Sequence, residues 1–302
     1  MPAPCFSYNV YGLQVCSDKP VLEFEPLVAE GWPDVYIRWQ AMASQPAYGN
    51  NDWHFDVSHN QATLCFKGIG VFHIPDTATI LVKTECGADE RMVERYLSGV
   101  VFAVLLHLRG LVVYHAGSVA INENEAVAFI GESGAGKSTL AALLHLRGFS
   151  CIADDVTAIR MDSQRIDIIP GFPRLKIDPD LGLQHGIPEN ELCPVHATEK
   201  QVYLSLARGF PSNPLAVRAL FFLNVAPRLS LQRITARQAM IETIRYTLPS
   251  RLLQLTGSSE HFCHCSLIAG TVPAYTLTRT NDNSCREQLA DMVVNELFRC
   301  EV

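Results

Sequence analysis

The chain has 302 residues, 48% hydrophobic and 18% charged, which is enough apolar matter for one large domain or two ordinary ones and argues against wholesale disorder. Its formal net charge of −7, with no basic block, argues against a nucleic-acid surface. The most apolar run, GVVFAVLLHLRGLVVYHAG, meets His107 and Arg109 before it reaches the ~20 apolar residues a bilayer needs, so no membrane association is expected.

The opening MPAPCFSYNVYG lacks a charged-then-apolar leader, so a cytoplasmic protein with reduced thiols is expected for its ten cysteines. Residues 1–88 read as β-rich. LEFEP, DVYIRW, ATLCFKGIGVFHI and TATILVKT are runs of β-branched and aromatic residues separated by Pro, Gly, Asn and Asp. At Asp89 the pattern changes to an amphipathic and then apolar helix, DERMVERYLSGVVFAVLLHL, with Gly110 as its C′ residue. That change sets the expected boundary between a β-rich N-terminal region, 1–88, and a catalytic domain, 89–302.

Beyond Gly110, strands are expected at 111–121, 126–130 and 150–153, and a helix from Gly136 to about Arg147. Further helices are expected at 235–247 and 284–299, with the strand AYTLTR between them. HFCHCSL crowds four donor side chains within five residues, which cannot easily close on one zinc ion, and reads as an ordinary strand or loop.

The chemistry concentrates in GESGAGKST, which comprises Gly131, Glu132, Ser133, Gly134, Ala135, Gly136, Lys137, Ser138 and Thr139 and fits G-x-x-x-x-G-K-[ST]. Glycines permit a tight turn whose N–H groups point inward, and the following helix adds its positive dipole end. Lys137 would reach the β- and γ-phosphates, and the Ser138 hydroxyl would help hold Mg²⁺. An apolar strand before the loop and LAALLHLRG after it supply the context a phosphate loop requires. A plain Gly-rich turn would not need Lys137.

Only NENE separates the strand ending at Ile121 from the one beginning at Ala126, too short for a parallel crossover. The two must form a hairpin, which makes the sheet mixed. Pairing Ile121 with Ala126 counts His115 back to a place opposite Glu132, at the mouth of the loop, where it serves either the site or the strand end. Downstream, CIADD sets Asp154 and Asp155 at a strand end only 17 residues after Lys137. Such a pair can divide proton acceptance and Mg²⁺ support, or form an Asp-rich turn.

Taken in order, YHAGSVAI, GESGAGKST and RGFSCIADD resemble the core of the HPr kinase/phosphorylase family over about residues 110–180. HAGSV and the β-rich beginning are most similar to its shorter members, including kinases that phosphorylate a serine of lasso-peptide precursors. The resemblance implies an α/β fold, with a P-loop in a mixed, phosphoenolpyruvate-carboxykinase-like sheet and flanking helices. It implies ATP and Mg²⁺ as cofactors, held by Gly131 to Thr139, with Ser138 and Asp154 at the metal. Asp155 would be the catalytic base beside Asp154, His115 and Lys137, although the two aspartates could exchange roles. Thr139 stands where bacterial members usually carry Glu, which weakens any inference of the reverse phosphorylase reaction. Arg174 and Lys176, in PGFPRLKIDPD, are either transition-state cations or a solvated basic pair.

The expected function is an ATP-dependent serine kinase acting on a small protein or ribosomal peptide precursor, with a homo-oligomer compatible with the sequence. The rivals are a small-molecule phosphotransferase and a nucleotide-binding regulator without turnover.

Overall fold

The computed structural model describes residues 5–28, 31–41, 51–58, 60–162, 165–195, 200–206, 210–248, 259–282 and 285–299. Parts of the expectations lie outside them: residues 1–4 of the opening segment, positions 29–30, 42–50 and 59 of the β-rich region, Ser284 at the expected start of the last helix, and Cys300. The chain forms two compact units, Met1–Val113 with Leu248–Ser259, and Tyr114–Thr247 with Glu260–Val302.

The first unit is built on a seven-stranded sheet of β1 (Phe6–Val10), β2 (Leu13–Ser17), β3 (Val35–Ala41), β4 (Trp53–Val57), β5 (Ala62–Phe66), β6 (Gly70–Asp76) and β7 (Thr79–Thr84). Its order is β1-β2-β3-β7-β6-β5-β4, with β3 parallel to both neighbours. Alternating buried residues such as Val35, Ile37, Phe72, Ile74, Ile80 and Val82 give it one apolar face. Three expectations change. LEFEP is not a strand: a turn closes from the Phe24 N–H to Val21 O at 3.2 Å, and Phe24 packs edge-on between Tyr8 and Phe102. ATLCFKGIGVFHI is two strands rather than one run. The first hairpin carries a Cys5–Cys16 disulfide where reduced thiols were expected.

Asp89 caps α1 (Glu90–Tyr96), which continues through a π turn at Leu97–Val101 into α2 (Phe102–Leu108). Gly110, at φ 84°, closes the helix with N–H bonds from Gly110 to His107 and from Leu111 to Leu106. The composition change at Asp89 thus falls inside the first unit, because the helix buries Phe102 and Glu94 there. Glu94 is 8% exposed, and its Oε2 accepts from the N–H groups of Leu22 and Glu23 at 3.0 and 3.3 Å. Burial pushes its carboxyl up. Its contribution is therefore fully present below the ordinary Glu value of ~4.3 and is lost as pH rises through the raised folded value. Glu94→Gln keeps an acceptor without the charge. It should melt with wild type at pH 4 and about 2–4 °C above it at pH 8, as followed by thermal denaturation.

β8 (Val112–Tyr114) leads into the second unit, made of β9 (Ala116–Ala120), β10 (Glu125–Gly131), α3 (Lys137–Leu146), β11 (Ser150–Ala153), β12 (Thr157–Met161) and β13 (Ile166–Ile169). After β14 (Arg174–Ile177), α4 (Pro179–Gln184), β15 (Leu192–Pro194) and β16 (Val202–Ser205) come β17 (Leu215–Val225) and β18 (Ser230–Arg233). α5 (Ala236–Arg245), α6 (Ser259–Thr271), β19 (Ala274–Arg279) and α7 (Arg286–Phe298) complete it. The fold is mixed α/β.

The second unit's sheet runs β11-β9-β10-β17-β13-β12, and the C-terminal part of β17 pairs with β19, outside which lies β18. β9 and β10 form the hairpin that NENE demanded, while β10 and β17 are parallel. The register pairs Ala120, not Ile121, with Ala126, one residue from the count above. HFCHCSL lies inside α6, where the structure differs from the expected strand or loop. Buried His261, Cys265, Ile268 and Ala269 follow a helical period, and His261 Nε2 is 3.2 Å from Cys265 Sγ. No helix among the described residues is long and apolar enough to cross a membrane.

Candidate active site

The loop Glu132–Gly136 links the end of β10 to the first turn of α3. Leu140, Ala141, Ala142, Leu143 and Leu144 bury α3 in a core with Val119, Val127 and Phe129, each fully buried leucine contributing ~1.5–3 kcal/mol. That burial fixes the helix N-terminus, whose first N–H groups have no partner within the helix. Gly134 (φ 79°) and Gly136 (φ 103°) take left-handed backbone. A Cβ at Gly131 would lie 2.7 Å from Leu223 O on the neighbouring strand, so the first glycine is set by close approach. Lys137 is 5% exposed, and its Nζ donates to Glu132 O at 2.9 Å. Burial lowers its pKa, while Asp155, Asp154 and Glu132 oppose the shift.

Two strands from β10, the end of β11 delivers Asp154 and Asp155. Their environments differ. Asp154 Oδ2 accepts from the Lys176 N–H at 2.8 Å, whereas Oδ1 is sealed from solvent without a hydrogen-bond partner. Burial first, and the adjacent Asp155 carboxylate second, push Asp154 up to about 6, against the Lys176 N–H and the Ser138 hydroxyl. Gly117 makes room here: a Cβ on it would stand 3.3 Å from Ala141 Cβ and 3.7 Å from Asp154 Oδ1.

Asp155 has left-handed backbone (φ 66°), and its side chain, 37% exposed, is ion-paired with Lys176 Nζ. His115, at the bend between β8 and β9, lies 2.9 Å through Nδ1 from Asp155 O. A carbonyl only accepts, so Nδ1 carries the proton and donates. Burial, then Lys137, lowers the imidazole's pKa, leaving it neutral near pH 7 with Nε2 as an acceptor. His115 therefore holds the Asp155 peptide.

The structure thus brings Lys137, Ser138, Asp154, Asp155, His115 and Lys176 to one end of the sheet. Arg174 is placed differently. Its guanidinium packs 4.9 Å from the Phe172 ring centre and 4.6 Å from that of Tyr203. Glu132, exposed, is 3.7 Å from Arg245.

Sequence reasoning missed Arg279, at the end of β19. Its Nε and Nη2 donate to Ala135 O and Gly134 O, each at 2.7 Å, fixing the loop from outside. The only signal was a basic residue ending AYTLTR, which acquires meaning once β19 is known to lie beyond β17.

Among the described residues, no cluster of three or more His, Cys, Asp or Glu is arranged to hold a metal. A carboxylate and a hydroxyl nonetheless suit Mg²⁺, which uses one or two carboxylates together with substrate phosphates. The sealed, unpartnered Asp154 Oδ1 beside Ser138 fits that requirement.

No protein-family model matches the chain, and no similar curated protein is found. Among solved structures, the HPr(Ser) kinase/phosphatase from Coxiella burnetii aligns over 63% of this chain and 99% of its own, with 11% identity and a TM-score of 0.33. At that similarity it assigns neither activity nor site residues.

Proposed function

We propose that the protein is an ATP- and Mg²⁺-dependent kinase that phosphorylates a serine hydroxyl of a small protein or ribosomal peptide precursor. The observation that carries this reading is the convergence of Lys137, Lys176, Asp154 and Asp155 at the N-terminus of α3, beneath a glycine-rich loop. The narrower class, a lasso-peptide tailoring kinase, rests on the sequence resemblance alone.

The loop N–H groups and the end of α3 bind the triphosphate, and Lys137 leaves Glu132 O for its β- and γ-oxygens. Ser138 and Asp154 Oδ1 would hold Mg²⁺, which would neutralise phosphate charge. Asp155, the more accessible carboxylate, accepts the serine proton as Oγ forms its bond to the γ-phosphorus and the bond to the β-bridging oxygen breaks. Lys176 offsets charge on the transferring group. ADP and phosphoserine result. The partial exposure of Asp155 suits an acceptor presented on a chain.

Mass spectrometry of serine-containing peptides after incubation with protein, ATP and Mg²⁺ tests the reading. A gain of one phosphate on serine is expected. No gain on any peptide, with ATP still bound, would favour a small-molecule phosphotransferase or a regulator without turnover.

A further inference from the structure

A cavity of about 490 Å³ lies in the second unit, at the end of the sheet opposite the glycine-rich loop. The strand directions place it there. β9 ends at its wall, β11 and β17 begin at it, and α3 runs its 10 residues, about 15 Å, from the loop to Gly148 on its rim. Its size falls within the ~300–1,000 Å³ of small-ligand sites. None of the residues assigned to phosphoryl transfer lines it.

The walls are held by the chain around them. Asn122 Oδ1 accepts from the N–H groups of Asn124 and Glu125 at 2.8 and 2.9 Å, and the Ala216 N–H donates to Asn124 O at 2.8 Å, which ties the β9–β10 turn to the start of β17. Gly148, at φ 99°, closes α3 with N–H bonds from Gly148 to His145 O and from Phe149 to Leu144 O, and the Phe149 ring stacks on Phe298 at 6.3 Å. Ile121, Phe149, Phe210, Pro211 and Leu215 supply apolar surface. The electrostatics have one sign. Glu123 is the one ionic residue of the lining, and it is exposed and without an ion-pair partner among the described residues. The C-terminal end of α3 adds the negative end of its dipole, and the two phenylalanine rings carry electron-rich faces. Arg147, the neighbour of Gly148, is engaged by Glu287 and by Asp291 Oδ1, the latter at 2.8 Å.

We propose that this cleft is a second ligand site, which binds a small organic ammonium ion carrying an apolar group, the chemistry of an arylalkylamine. A carboxylate and aromatic rings stabilise the ammonium together, while the aliphatic and aromatic walls take its apolar group. A phosphorylated ligand meets repulsion from Glu123 and from the end of α3, so the two ends of this helix select ligands of opposite charge. An uncharged molecule of the same shape gains the apolar contacts alone. The site stands on its own lining and does not depend on the reaction at the other end of the sheet.

Titration of the full chain with 2-phenylethylammonium and with its uncharged counterpart 2-phenylethanol, followed by amide chemical shifts at neutral pH, tests this. Wild type should show saturable shifts around Phe149 and Phe210 and bind the ammonium at least about threefold more tightly than the alcohol. Glu123→Lys should weaken the ammonium about fivefold or more and leave the alcohol within about twofold, because only the charge contact is reversed. Ser212→Trp, which fills the cleft from its exposed rim, should weaken both ligands; were that variant to melt well below wild type, Asn213→Trp fills the cleft from the next position and is read identically. No saturable shift in wild type at millimolar ammonium, equal affinities for the two probes, an ammonium preference unchanged in Glu123→Lys, or binding untouched in a folded, filled variant would each overturn the proposal.

Discussion

Lys137→Ala is expected to lower phosphoryl transfer by about 10²–10³-fold, the usual cost of deleting one preorganised charge or donor at a transition state. In the free protein Nζ is withdrawn from solvent and satisfied by one backbone carbonyl, Glu132 O at 2.9 Å. Burial lowers its pKa while Asp155, Asp154 and Glu132 oppose the shift, and a phosphate beside it would further favour the charged ammonium. Lys137→Arg should not recover the rate, because a forked guanidinium is not a compact ammonium. Single-turnover transfer with saturating ATP, alongside a melting curve to show retained folding, measures the effect. A variant within about threefold of wild type would remove Lys137 from the phosphate site, since the expected loss is at least ~10²-fold.

Asp155→Asn should abolish transfer by about 10²–10⁴-fold, the range of a general base, with little change in ATP affinity. The substitution isolates the side chain. Asn tolerates the left-handed backbone at φ 66° as Asp does, and the His115 Nδ1 bond goes to the Asp155 backbone carbonyl, which remains. Asp155→Ala lacks that tolerance, and its loss would combine chemistry with ~1–2 kcal/mol of backbone strain. Asp154→Asn should separate from both by raising the Mg²⁺ concentration that transfer requires, because the oxygen there is the proposed ligand. If Asp155→Asn transferred phosphate at the wild-type rate while Asp154→Asn failed even at saturating Mg²⁺, the base would be Asp154.

The legible part of the site is local. AVAFI followed by GESGAGKST predicts a strand, a tight glycine turn and a helix, and β10, the turn with Gly134 and Gly136 in left-handed backbone, and α3 follow in that order. NENE predicts the hairpin through chain length alone, and only its register differs, by one residue. HFCHCSL by itself spans seven residues, too few to show the period of α6. Extended to Ala269, the buried positions 261, 265, 268 and 269 carry the 3.6-residue period. LEFEP alternates like a strand, yet Phe24 docks as a single anchor and needs no ladder.

The sequence by itself determined the backbone of the glycine-rich loop, because glycine's freedom at positive φ and a helix start are properties of neighbouring residues. It also placed two carboxylates at a strand end shortly after the loop. Only the tertiary structure decided that Lys176 pairs with Asp155, that Asp154 Oδ1 is sealed while Asp155 is accessible, and that Arg279 grips Gly134 from 145 residues away. These depend on which strands lie beside β10. Strand partnership is fixed by burial of whole faces across the sheet, a long-range energy that no short window of residues encodes.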